Sequence, residues 1–139
     1  MNNSLILTVI DLIGKRKTET LIEKGFFNKI IGLNEQEILE CIERYKEIDS
    51  AFKVPSLDKI KATIENSEQV LLKSEELGIK CTNIFNNNFP DKLKNIKDKS
   101  LLIFYKGNLN CLCEHKSIAI IGTRTPTERG KEIGEALGK

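Results

Sequence analysis

The first half of the chain places its apolar residues at helical spacing. Positions 5, 6, 9, 10, 12 and 13 form a broad stripe over residues 4–13, which predicts a helix ending at Gly14. Lys15-Arg16-Lys17 then reads as a short basic turn, and 18–24 as a second short helix with Leu21 and Ile22 inward and Gly25 as its stop. Phe26, Phe27, Ile30 and Ile31 make an apolar cluster that a small helical core would bury. Asn34 caps a third helix, with Glu37 in the capping-box position and a face of Ile38, Cys41, Ile42, Tyr45 and Ile48. Residues 51–55 break the pattern, because the residue before Pro55 is pushed out of helix. Ser56 caps the next stretch through Leu57, Ile60 and Ile64. An interruption is expected at Asn66-Ser67 before residues 70–77, and Gly78 is the C-terminal stop. Residues 1–65 therefore predict a small all-helical module whose stripes are core rather than binding grooves.

From Ile79 the period changes. Residues 79–85 read as a strand, Asn86-Asn87-Asn88 as a turn, and Phe89-Pro90 as the start of a helical turn through Leu93 and Ile96. Residues 101–105 form another apolar strand, ended by Lys106-Gly107-Asn108. Residues 117–121, β-branched at Ile118, Ile120 and Ile121, read as a buried strand of parallel-sheet type. Strands alternating with helices place residues 66–139 in an α+β or α/β fold. The third strand runs into Gly122-Thr123-Arg124 and then Thr125-Pro126-Thr127-Glu128. This reads as a Thr125 N-cap, Pro126 at the first helical position and Glu128 completing the box, with a helix running on to Gly138. A strand–glycine turn–helix unit leaves free N–H groups at the positive end of a helix dipole, and Arg124 adds a fork of donors matched to phosphate. The turn is neither a Walker loop nor a GxGxxG fingerprint, so spacing alone leaves a phosphate site and a purely structural turn both open.

The composition, 40% hydrophobic and 30% charged over 139 residues, is that of a globular protein of one domain, or a small domain plus part of another. No apolar run approaches the ~20 residues of a membrane span, so no membrane partner is expected. The apolar segment 5–13 contains Asp11 and follows no basic residue, which argues against a signal peptide and makes the cytoplasm the expected compartment. The net charge of +2 is unevenly spread: residues 1–78 carry 11 Lys/Arg against 14 Asp/Glu, and residues 79–139 carry 11 against 6. The basic half is the half with the phosphate-like turn, and a basic surface favours polyanions.

Cys41 and Cys81 read as core thiols. Cys111-Leu112-Cys113-Glu114-His115 offers two thiolates and an imidazole but no further ligand pair at zinc spacing, so neither metal nor cofactor is expected. No nucleophile–base pair or paired carboxylates can be picked out, which predicts a protein that is not an enzyme.

Several pieces in order carry a resemblance. Leu77-Gly78-Ile79, Asn88-Phe89-Pro90 with Leu93 and Ile96, residues 101–107 (LLIFYKG), residues 119–124 (AIIGTR) and Gly130 together resemble the DNA-processing protein A (DprA/Smf) family. Phe89 stands where that family usually has Tyr, and Lys99-Ser100 replaces its usual Pro. The resemblance implies a small N-terminal helical (SAM-like) module over 1–65, followed over 66–139 by the N-terminal portion of a Rossmann-like domain, incomplete at Lys139. It also implies single-stranded DNA and the RecA recombinase as partners, in DNA uptake and recombination during natural transformation. The DNA-backbone contacts would fall at Gly122, Thr123, Arg124 and Gly130, and a homodimer would form only with the remaining C-terminal part. Two other readings stay open: a helical protein-interaction module with a non-functional αβ remnant, and a Rossmann-like protein binding a nucleotide phosphate.

Overall fold

The computed structural model describes residues 2–29, 34–114 and 121–138. Among these residues lie seven α-helices and two strands: α1 (Asn3–Ile13), α2 (Lys15–Glu23), α3 (Glu35–Glu43), α4 (Leu57–Glu76), β1 (Lys80–Asn83), α5 (Asp91–Lys94), β2 (Leu102–Tyr105), α6 (Cys111–Glu114) and α7 (Glu128–Leu137). No helix among them is long and apolar enough to cross a membrane.

Local chemistry accounts for most boundaries. The Asn2 side chain accepts from the Ser4 amide at 3.0 Å to start α1. Gly14, at φ 84°, donates its N–H to Ile10 O at 2.8 Å and ends the helix. The same glycine redirects the chain within one residue, so α2 begins at Lys15. The basic triplet therefore occupies the first turn of a helix rather than a turn of its own. Asn34 caps α3 through the Gln36 amide at 2.8 Å and the Glu37 amide at 3.4 Å. Ile38, Cys41 and Ile42 are buried as the stripe requires, but Ile48 is 45% exposed. The helix tightens into a 3₁₀ turn over Arg44–Glu47, and that change of pitch carries Ile48 off the stripe.

Ser56 caps α4 through the Lys59 amide at 3.3 Å. The interruption expected at Asn66-Ser67 does not occur: α4 is continuous to Glu76. Ser67 is fully buried there, because a small side chain is what the close packing of α4 admits. The 65/66 division thus falls inside one helix. Gly78, at φ 69°, closes it with its N–H on Glu75 O at 2.9 Å.

The core joins the helices to the strands. Leu5, Ile6 and Val9 of α1, Ile38 and Ile42 of α3 and Ile60 of α4 pack in one buried cluster with Leu101, the residue before β2. β1 and β2 pair antiparallel, Lys80 opposite Tyr105 and Asn83 opposite Leu102. Asn3 of α1 donates from Nδ2 to the Cys81 carbonyl at 2.9 Å and accepts from Asn83 Nδ2 at 2.7 Å, which ties the first helix to the sheet. The described fold is therefore α+β. The alternation that pointed towards an α/β sheet has a simple origin: α5 is a single turn, too short to lie across a sheet, and the chain doubles back instead of crossing over. The strand expected at 117–121 lies outside the described residues apart from Ile121, which is exposed and has no regular structure.

Candidate nucleic-acid interface

Gly122, Thr123, Arg124 and Gly130 all belong to one exposed segment, 121–138. Residues 121–123 have no regular structure, and the chain bends at Arg124 and Thr125. The Thr125 amide donates to Thr123 Oγ1 at 3.2 Å, a local turn that takes up the Thr123 hydroxyl as an acceptor. The helix then starts later than expected. Thr127, not Thr125, is the N-cap of α7: its Oγ1 accepts from the Gly130 amide at 3.2 Å, and its carbonyl accepts from the Lys131 amide at 3.0 Å. Both threonines satisfy the capping pattern, and Pro126 is as well accommodated just ahead of a cap as just after one.

That shift changes what Gly130 does. Its N–H is already bonded to Thr127, and a Cβ there would lie 3.3 Å from Thr127 Oγ1 and 3.7 Å from Pro126 Cβ. Glycine lets the capping hydroxyl close over the first turn. At Gly122 no atom of a described residue lies within 4 Å of where a Cβ would stand, so on that side the backbone is open to approach. Arg124 is exposed and forms no hydrogen bond or ion pair with any described residue. Lys131, by contrast, is tied to Glu128 at 2.7 Å.

α7 buries none of its residues. Ile133 and Leu137 are 51% and 67% exposed, and with Ile121 and Pro126 they wall a concavity of about 700 Å³ floored by Gly130 and Gly134. The face of α7 that carries Gly130 and Gly134 is thus uncovered among the described residues.

The cysteines separate by environment. Desolvation pushes the Cys41 thiol up to about 11, against the opposing pull of the Arg44 charge, and pushes Cys81 up to about 11 as well. Both are thiols rather than thiolates at neutral pH, unsuited to nucleophilic or metal chemistry. Cys41 is buried as expected of a core thiol, whereas Cys81 is only half-buried at the sheet. The Cys111 thiol donates to Asn108 O at 2.8 Å. The side chains of Cys113 and Glu114, and His115, lie outside the described residues; among the others no three metal-ligating side chains converge.

Comparison with known proteins decides the family. The profile of the family described as "DNA recombination-mediator protein A" matches residues 80–139, from β1 through α7. The DNA processing protein DprA of Bacillus subtilis (strain 168) is 34% identical over 91 residues, 59% of this chain and 31% of that protein. Protein Smf of Borreliella burgdorferi is 33% identical over 132 residues, 91% of this chain and 38% of that protein. The chain belongs to the DprA/Smf family. It spans about a third of the length of these two curated DprA/Smf relatives. The match to Protein Smf of Borreliella burgdorferi extends over most of the helical part, so the sequence of that part is similar to a relative's and not an addition peculiar to this chain. No solved structure matches the chain significantly.

Sequence reasoning missed two things here. The Asn3–Asn83 pair that joins α1 to β1 carries no local signal, since its partners are 80 residues apart. The Thr127 cap was within reach, because threonine is a favoured N-cap residue and a second one stands two positions after Thr125.

Proposed function

We propose that this chain is the N-terminal part of a recombination mediator that binds single-stranded DNA and delivers it to the RecA recombinase in natural transformation. In this reading residues 66–139 begin a Rossmann-like DNA-binding domain and residues 1–65 are a SAM-like helical module packed against its first strands. The protein works in the cytoplasm, where the recombinase is, and catalyses no reaction itself. The observation that carries the proposal is Arg124: an exposed guanidinium with no partner among the described residues, held on a bend just ahead of the α7 N-terminus. A free guanidinium beside a helix N-terminus suits a phosphodiester, and a phosphate contact positions a strand without reading its bases. The open backbone at Gly122 admits a phosphate closely, Thr123 shapes the bend, and Gly130 serves by keeping the Thr127 cap compact rather than by donating its own amide. Family membership and the basic balance of residues 79–139 point the same way.

The test is Arg124→Ala, with affinity for a labelled oligothymidylate followed by fluorescence anisotropy across a salt series. Loss of one phosphate contact should weaken binding roughly threefold to tenfold and reduce the log–log salt slope by about 0.7. An unchanged affinity and slope would remove Arg124 from the interface.

A further inference from the structure

α2 carries Lys15, Glu19 and Glu23 at successive intervals of four residues, on one face of the helix. Against that face lies the end of the 84–101 connection. Lys15 Nζ bonds both the carboxylate and the carbonyl oxygen of Asp98, the latter at 3.2 Å. Lys99 Nζ lies 3.1 Å from Glu19 Oε1 and 3.6 Å from Glu23 Oε1. The Lys99 and Glu19 side chains are only 25% and 19% exposed, so this pair is shielded more than an ordinary surface bridge. Two residues further on, Leu101 enters the core and β2 begins.

We propose that this crossed charge set is a register key: it selects where the 84–101 connection docks along α2, and therefore where β2 starts, and ionic strength releases it while the helices stay folded. The charges discriminate because they alternate in sign. A slide of one helical turn towards the α2 C-terminus would set Asp98 against Glu19. A slide the other way would set Lys99 against Lys15. Both shifts replace attraction with like-charge contact, so only one register is free of penalty. The connection needs such a key, because its other regular structure is the single turn of α5 and its buried anchors are few. The titration directions agree with the geometry: the hydrogen bond from Lys15 lowers the Asp98 carboxyl, and the hydrogen bond to Glu19 raises the Lys99 ammonium.

Hydrogen exchange on the whole chain, read by mass spectrometry, tests this without reference to DNA. Lys99→Glu should speed exchange over residues 95–105 by roughly fivefold, and so should high salt on the unaltered protein. Exchange in α1 and α4 should not change. Lys15→Glu and Asp98→Lys should each open the same segment, and the double variant, which restores an opposite-charge pair but leaves three acids in a row on α2, should close it in part. These two positions are exposed enough to be substituted should Lys99→Glu not fold. The key is refuted if residues 95–105 respond neither to charge reversal nor to salt. It is equally refuted if the response spreads evenly through the helices, or if the double variant behaves as the sum of the singles.

Discussion

At the scale of single residues, buried thiols set a pH limit. The Cys41 and Cys81 thiols are held up to about 11 from an ordinary 9.0, so the folded chain keeps protons that the unfolded chain gives up first. Their contribution is complete below pH 9 and is lost as pH rises towards 11, because ionisation then favours the unfolded state. Lys99, also raised, acts in the same direction at higher pH. The melting temperature should therefore decline between pH 9 and 11, and Cys41→Ala, though less stable overall, should decline less steeply. Parallel alkaline slopes for the two proteins would show that Cys41 is not the group responsible. Cys41 was legible as a core residue because it lies on a helical stripe; its altered acidity was not, because desolvation depends on what the third dimension brings around it. Gly130 shows the converse. The sequence marks it as special, but only the position of Thr127 Oγ1 explains why a methyl group would crowd there.

At the scale of elements, α1 and α4 pack against each other through apolar residues and three hydroxyls. Ser4, Thr8 and Ser67 are buried, and their hydroxyl oxygens have no hydrogen-bond partner among the described residues. A buried hydroxyl without a partner loses its hydration and gains little in return. Ser67→Ala removes that cost and improves helix propensity, so it should raise the unfolding free energy by about 1 kcal/mol in a urea titration. A loss of stability would mean that the hydroxyl is held by a bound water. This residue also explains a misreading at the element level. Asn66-Ser67 looks like a helix break because both residues compete locally with helical hydrogen bonds, yet tertiary packing favours a small side chain there and the helix runs through. The helices with clear apolar stripes, α1 and α3, were legible, and so were the two ends of α4 at Ser56 and Gly78. The start of α2 was not, since a basic first turn opposes the helix dipole; Asp98, far away in sequence, supplies the missing negative charge.

At the scale of the whole molecule, the composition shift near residue 79 suggests two parts, while the packing joins them. Leu101, 1% exposed, sits in the same cluster as Ile6, Ile38 and Ile60, and Asn3 bonds across to β1. If the helices and the β1–β2 pair form one cooperative unit, a cut at Leu101 should weaken both together. Leu101→Ala leaves a cavity in the shared core and should cost about 3 kcal/mol. In a denaturant titration, the circular dichroism of the helices and the fluorescence of Tyr105, on β2, should move to lower denaturant by the same amount; the second tyrosine, Tyr45, is replaced by Phe in both proteins compared. Two separated transitions, with only the Tyr105 signal displaced, would instead establish that the helical module folds on its own and that its contact with the strands is a docking surface. α7 lies outside this test because it buries nothing among the described residues. Its exchange should be fast in both proteins, and the contrast between a slow α1–β2 body and a fast α7 would locate the turn proposed to contact DNA on the least stabilised part of the described residues.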